Sequence, residues 1–225
     1  MTARFCLLVV AKAPVPGFAK TRLCPPATPE QAAGLAAAAL LDTLDAVLAT
    51  PGAVPVVAMT GDLAAASDSA ELTGRLRATT VIAQRGRDFA VRLANAHADV
   101  GLLHRRLPVL QIGMDTPQVT PELLTGSAER LLGGRQAVLG PAVDGGWWAL
   151  GLRDPRLAEV LAGVPMSRPD TGELTRRALA GAGVSPATLP TLSDVDTLAD
   201  AHAVAAGLTS GRFARAVAEL GERVR

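Results

Sequence analysis

Near its start the chain carries seven apolar residues in a row, Phe5-Cys6-Leu7-Leu8-Val9-Val10-Ala11. A strand with one wet face alternates apolar and polar side chains. An unbroken run marks a strand covered on both faces. Such strands belong to mostly parallel sheets packed between helices, which restricts the chain to the α/β architectures. A second apolar run at 54–60 and the segments 79–84 and 107–112 predict three more strands, and 136–139 and 147–152 predict two that flank a loop. Between them lie segments that predict helices over 29–50, 63–72, 88–103, 121–132, 155–161, 172–180, 197–206 and 212–223. Thr28 followed by Pro29 reads as an N-cap and a first helical residue. Phe89, Leu93, Ala96 and Val100 recur at helical spacing. No internal repeat or linker interrupts this alternation, so residues 1–225 are expected to form a single domain.

Composition excludes some classes. The net charge is +1, from 22 basic and 21 acidic side chains, without the basic footprint of a nucleic-acid binder. Aromatic residues make up 3% and tyrosine is absent, which leaves no stacking platform for single strands. Cys6 and Cys24 have neither disulfide-framework nor zinc spacing. The apolar N-terminal run is too short to span a membrane, which needs about 20 residues. With no small-residue cleavage site behind it, a cytoplasmic protein without a membrane span is expected. His97, His104 and His202 all lie outside the Gly-rich loops, so a nucleophilic triad has little support. On the last predicted helix Phe213, Val217 and Leu220 share a face that either covers the core or forms a homodimer contact.

In an open parallel sheet, ligands bind beyond the carboxyl ends of the strands. Polar, Gly/Pro-rich segments follow the predicted strands at Ala11, Gln84, Ile112 and Leu139, so four loops converge on one edge. The first, Ala11 to Leu23, carries Lys12, Lys20 and Arg22, which suit phosphate oxygens. It is not a P-loop, because Ala19 stands where that motif has glycine before Lys-Thr, and the dinucleotide fingerprint Gly-x-Gly-x-x-Gly is missing. The loop Gly113-Met114-Asp115-Thr116-Pro117 places Asp115 where a carboxylate could hold Mg²⁺ or Mn²⁺ on a diphosphate. Asp115 could equally cap the helix near Pro121 or make an Asx turn. Gly140 to Trp148 contains Asp144-Gly145-Gly146, either a ligand-approaching loop with an acceptor-binding or basic Asp144, or a simple Asp-Gly hairpin turn. Trp147 and Trp148 point to opposite faces, so at most one meets a ligand. Asp194 or Asp196 could add a second metal contact, whereas Asp196 alone reads first as the N-cap of the helix that follows.

Five segments in order resemble the bacterial DUF2064 family: AKAPVPGFAKTRL (11–23), QRGRDFAVRLANA (84–96), GMDTP (113–117), GPAVDGGWWALGL (140–152) and SDVDTLAD (193–200). Ala19 to Leu23 is also similar, more distantly, to an element of phospholactate guanylyltransferases. Met114 and Thr116 depart from the family's usual Gly-Ser-Asp-Ser-Pro, and Trp147 from its usual tyrosine. The resemblance implies a three-layer α/β/α fold of the glycosyltransferase-A, or nucleotide-diphospho-sugar transferase, kind. It implies a nucleotide pocket of Ala11, Lys12, Lys20, Arg22, Gln84 and Arg92. Asp115 would be catalytic and hold Mg²⁺ or Mn²⁺ together with Asp194 or Asp196. Asp144, Gly145, Gly146 and Trp147 would meet a small-molecule acceptor, with Asp144 catalytic. The expected activity is metal-dependent transfer from a nucleotide-sugar. The alternatives are nucleotidyl transfer with release of pyrophosphate, and a non-catalytic nucleotide-binding protein on the same fold.

Overall fold

A computed structural model describes residues 4–105 and 107–223. Strands β1 (Phe5–Lys12), β2 (Ala53–Thr60), β3 (Thr80–Ala83), β4 (Val109–Gly113), β5 (Ala137–Pro141), β6 (Trp147–Leu152) and β7 (Ala187–Thr188) form one sheet. Its order is β3-β2-β1-β4-β6-β5-β7, with the first apolar run at the centre. Every neighbouring pair is parallel except those made by β6, which runs against both β4 and β5. The carboxyl ends of the other six strands therefore share an edge with the start of β6.

The unbroken apolar run of β1 is explained by its two buried faces. Phe5, Leu7, Val9 and Ala11 pack with α1 (Pro29–Ala49), α2 (Ser69–Leu76) and α4 (Pro121–Leu132). Cys6, Leu8 and Val10 pack on the other side with α3 (Phe89–Leu103), a 3₁₀ segment at Pro155–Gly163 and α5 (Thr171–Gly181). These are the three layers expected. Burial also pushes the Cys6 thiol up to about 12, leaving it inert.

A second shell of helix covers α1. Its outward residues Leu35, Ala38 and Ala39 pack with α6 (Leu198–Ala206) and α7 (Arg212–Arg223). Phe213, Val217 and Leu220 are buried there, so the terminal apolar stripe covers the chain's own core. Asp42 of α1 fixes the junction: its carboxylate accepts the backbone N–H groups of Arg212 and Phe213 and pairs with the Arg212 guanidinium. Among the described residues α1 is the one helix long and apolar enough to cross a membrane, but 72% of its apolar window is buried inside this fold.

Two local expectations change, and one strand was not expected. The helix expected over 63–72 begins later, at Ser69, because Asp62 caps a short 3₁₀ turn at Leu63–Ala65 and Ser67 N–H bonds back to the Pro14 carbonyl. The segment expected as a helix from 155 is wound as a 3₁₀ helix, begun by Asp154 accepting from Arg156 N–H. Edge strand β7 is only two residues long and gives no apolar run to read.

His97 of α3 is fully buried in the layer that α3 shares with the sheet. Neither ring nitrogen makes a well-formed hydrogen bond. Burial drives its pKa down to about 4, opposed by the Gln111 amide of β4, so the ring is neutral.

Candidate active site at the carboxyl edge

The loop after β1 turns on itself through Phe18 and Ala19 N–H, which both bond to the Val15 carbonyl. Buried Ala19 anchors this turn, and Lys20 follows with left-handed backbone angles of φ 49° and ψ 40°. A residue with a Cβ adopts that region only where its surroundings enforce it. Here the conformation carries the Lys20 side chain inward, where it is 13% exposed. Its ammonium donates to Asp115 Oδ2 at 2.7 Å and to Asp196 Oδ1 at 3.0 Å. Arg22, 68% exposed, reaches the other oxygen of Asp196 at 3.0 Å. Burial acts to lower the Lys20 pKa, but the two carboxylates outweigh it and hold it above the ordinary lysine value. Burial likewise acts to raise the Asp196 carboxyl, and Lys20 and Arg22 together hold it below its ordinary value.

Asp115 does not cap a helix. Thr120 caps α4 through Leu123 N–H, which leaves the Asp115 carboxylate at the sheet edge. Gly113 gives it room, since a Cβ at 113 would lie 2.8 Å from Asp115 Oδ1. Asp196 is not a cap either. Thr197 caps α6 in a reciprocal box with Asp200. The segment carrying Asp194 and Asp196 is stitched to the Asp115 loop by Val195 N–H on the Asp115 carbonyl at 3.1 Å and by Gln118 Nε2 on the Ser193 carbonyl at 2.6 Å. Asp194 is half-buried with one carboxylate oxygen lacking a partner. Burial, followed by the charges of Asp115 and Asp144, raises its pKa to about 7, against the pull of Lys20. Asp115, Asp144, Asp194, Asp196 and Lys20 therefore share one electrostatic neighbourhood.

The loop between β5 and β6 reaches the same edge. Asp144 is exposed, and its Oδ1 accepts Gly146 N–H at 2.8 Å, an Asx turn. The glycines serve packing. Gly145 has φ +87°, and a Cβ there would sit 1.9 Å from the Pro169 carbonyl oxygen. Its own carbonyl accepts Gly172 N–H at the start of α5. Trp147 donates its indole N–H to Thr175 of α5 at 3.1 Å, and Trp148 is core, donating to the Pro190 carbonyl.

Other predicted residues stand nearby in different roles. Lys12 lies exposed at the end of β1, its ammonium on the Phe18 carbonyl and its N–H on Met114 Sδ. Gln84 uses its amide nitrogen on the Ala11 and Ala58 carbonyls, tying the ends of β1 and β2 together. Arg92 is on the first turn of α3, bonded to the Asp88 carbonyl and set 5.9 Å from the centre of the Phe89 ring. The contacts thus join Lys20, Arg22, Asp115 and Asp196 directly, while those of Arg92 and Trp147 run to α3 and α5. Sequence reasoning assigned no role to Thr116 and Gln118, which, like Asp194, carry a buried side-chain oxygen without a partner. Their only signal was position, directly after Asp115 at a strand end.

Would these acids suit a divalent ion? Mg²⁺ takes oxygen ligands and often needs only one or two protein carboxylates, with phosphates and water completing the shell. An unpartnered Asp194 oxygen among like charges fits that need. As arranged, the Lys20 ammonium lies on Asp115 and Asp196, and among the described residues no three His, Cys, Asp or Glu side chains close into a metal-holding group.

A basic loop facing carboxylates, at the carboxyl edge of a sheet between two helical layers, suits a nucleotide's phosphates, and the relatives below make the chain a nucleotide-transferring enzyme of the transferase class. Similarity to known proteins agrees. The model of DUF2064, described as uncharacterized proteins conserved in bacteria, matches residues 43–168. The phosphoenolpyruvate guanylyltransferase of Nocardia farcinica (strain IFM 10152) is 32% identical over 183 residues, covering 81% of this chain and 77% of that protein. A crystal structure from Desulfovibrio desulfuricans G20, of a protein assigned to the nucleotide-diphospho-sugar transferases, superposes with a TM-score of 0.82 at 26% identity, covering 98% of this chain and 95% of the other. A 4-diphosphocytidyl-2C-methyl-D-erythritol synthase shares the fold at 14% identity, with a TM-score of 0.60 over 91% of this chain and 97% of the other. The chain belongs to the DUF2064 family.

Proposed function

We propose that the chain transfers a nucleotidyl group from a nucleoside triphosphate to a small phosphorylated carboxylic acid and releases pyrophosphate. The observation that carries this reading is the inward Lys20, backed by Arg22, facing Asp115 and Asp196 where the first strand ends. The 32% identical guanylyltransferase makes GTP the first donor to test and phosphoenolpyruvate the first acceptor.

An acceptor phosphate oxygen attacks the α-phosphorus, a new P–O bond forms, and the bond to the β-phosphate oxygen breaks. Lys12, Lys20 and Arg22 bind the β- and γ-phosphates and neutralise charge that grows on the leaving pyrophosphate. Asp115, with Asp194 or Asp196, would hold Mg²⁺ or Mn²⁺, which would supply Lewis-acid polarisation of the phosphates. Asp144 orients the acceptor from the β5–β6 loop and takes a proton where the acceptor is a hydroxyl. Gln84 and Ala11 hold the shape of the pocket floor, Arg92 adds a cation at its wall, and Gly145, Gly146 and Trp147 fix the acceptor loop.

Product analysis tests the reading. GTP, phosphoenolpyruvate and Mg²⁺ should yield pyrophosphate in step with loss of triphosphate by ³¹P NMR. A second reading, glycosyl transfer from a nucleotide-sugar, is favoured by the 26% identical structure from Desulfovibrio desulfuricans. It releases nucleoside diphosphate instead. Nucleoside diphosphate from a nucleotide-sugar, with no pyrophosphate from any triphosphate, would replace the first reading with the second.

A further inference from the structure

We infer that Lys20 holds the position a divalent cation takes during turnover, so that metal enters only after a nucleotide's phosphates have drawn the ammonium away. The inference rests on the nucleotide reading above and concerns the order of binding. The Lys20 ammonium lies between Asp115 Oδ2 and Asp196 Oδ1 at 2.7 and 3.0 Å, two carboxylate oxygens of the set proposed above to hold the metal. A cation coordinated at about 2.1 Å by the same oxygens would overlap the ammonium, so the two exclude each other.

Lys20 is not there by a chance rotamer. Its left-handed backbone, the buried Ala19 before it and the bond from Leu23 N–H to its carbonyl set the direction of the side chain. Like charges crowded in a partly buried site repel one another, so a cation on Asp115 and Asp196 favours their carboxylate forms. Asp144 and Asp194 add to that crowding. Phosphate oxygens compete with carboxylates for an ammonium as charge-assisted acceptors. When they take Lys20, Asp115 and Asp196 are released together, and a divalent ion can restore the balance. Arg22 touches only the outer oxygen of Asp196 and is mostly exposed, so it does not block the position.

Calorimetric titration of Mn²⁺ into the full chain, with and without GTP, tests this. Wild type should bind Mn²⁺ weakly alone, while GTP alone binds measurably and the pair binds tightly. Lys20→Gln should bind Mn²⁺ alone at least about tenfold more tightly, since it opens the position between the Asp115 and Asp196 oxygens as well as removing a part-buried charge from both. Arg22→Gln, which removes the same charge from Asp196 without opening the position, should change Mn²⁺ affinity by less than about threefold. Wild type binding Mn²⁺ alone as tightly as Lys20→Gln, or equal gains in both variants, would overturn the inference while leaving the nucleotide reading intact. Failure of wild type to bind GTP under any metal condition would sink that reading instead. Should Lys20→Gln fail to fold, ¹⁵N NMR of the wild-type lysine ammonium groups decides. The Lys20 resonance should be unmoved by Mg²⁺ and shift with Mg²⁺ plus GTP, and a shift with Mg²⁺ alone would overturn the inference.

Discussion

Buried His97 makes the stability of this chain depend on pH in a way that can be calculated. The ring titrates at about 4 in the folded chain against 6.5 for an unburied histidine. Above 6.5 it is neutral in both states and costs nothing. As pH falls, the unfolded chain takes up a proton that the folded chain refuses until about 4, so stability is lost across that window. Going from about pH 7.5 to about pH 5, His97 alone should remove roughly 2 kcal/mol, at about 1.4 kcal/mol per tenfold change in proton concentration. Urea unfolding of wild type and His97→Gln at both pH values isolates the effect. Asp194 also titrates in this range, but both chains carry it, so it cancels in the comparison. The stability gap between the chains should shift by about 2 kcal/mol in favour of the variant at the lower pH. Parallel pH dependence in the two would refute the burial argument, because only a ring that stays solvated or finds a hydrogen-bond acceptor keeps its ordinary pKa.

Other consequences are equally direct. Asp115→Asn should lower turnover by roughly a hundredfold or more with the far-UV circular dichroism unchanged, and wild-type metal-dependent rates from that variant would displace Asp115 from the site. Gly145→Ala should destabilise the chain by about 2 kcal/mol or more, read as a lower urea midpoint, because it combines positive φ with a collision at the Pro169 carbonyl. Asp42→Ala removes the cap of α7 and one partner of Arg212, so about 2–3 kcal/mol should be lost and protease should cut near residue 211 first.

Much of the architecture was legible because burial writes itself into composition. The apolar run of β1 announced two covered faces, and its alternate residues do divide between the two helical layers. Thr28 and Pro29 marked the start of α1 correctly. Where the pattern failed, the cause was hydrogen bonding with no hydrophobic period: the 3₁₀ turn after Asp62, the 3₁₀ winding of Pro155–Gly163, and the two-residue β7. At the site, loop positions were readable and partners were not. Nothing in the sequence says that Lys20 reaches across to Asp115 and Asp196. One clue was available. Thr197-x-x-Asp200 has capping-box spacing, which frees Asp196 from the capping role it was first given. The resemblance named Gln84, Gly145 and Trp147, whereas the contacts they make, to backbone and to α5, are ones that only packing reveals.

The reversed strand β6 has a consequence for how the reaction centre is assembled. A parallel strand brings one chain end to the working edge and must leave through a long helical excursion before the next arrives. Because β6 starts where β5 finishes, the stretch carrying Asp144 departs from that edge and returns to it between Pro141 and Trp147. So short a tether, held at both feet by the β5–β6 ladder, has little conformational freedom to lose. The Asp144 side of the edge is therefore pre-set, and under the proposed function this is the half that would meet the acceptor.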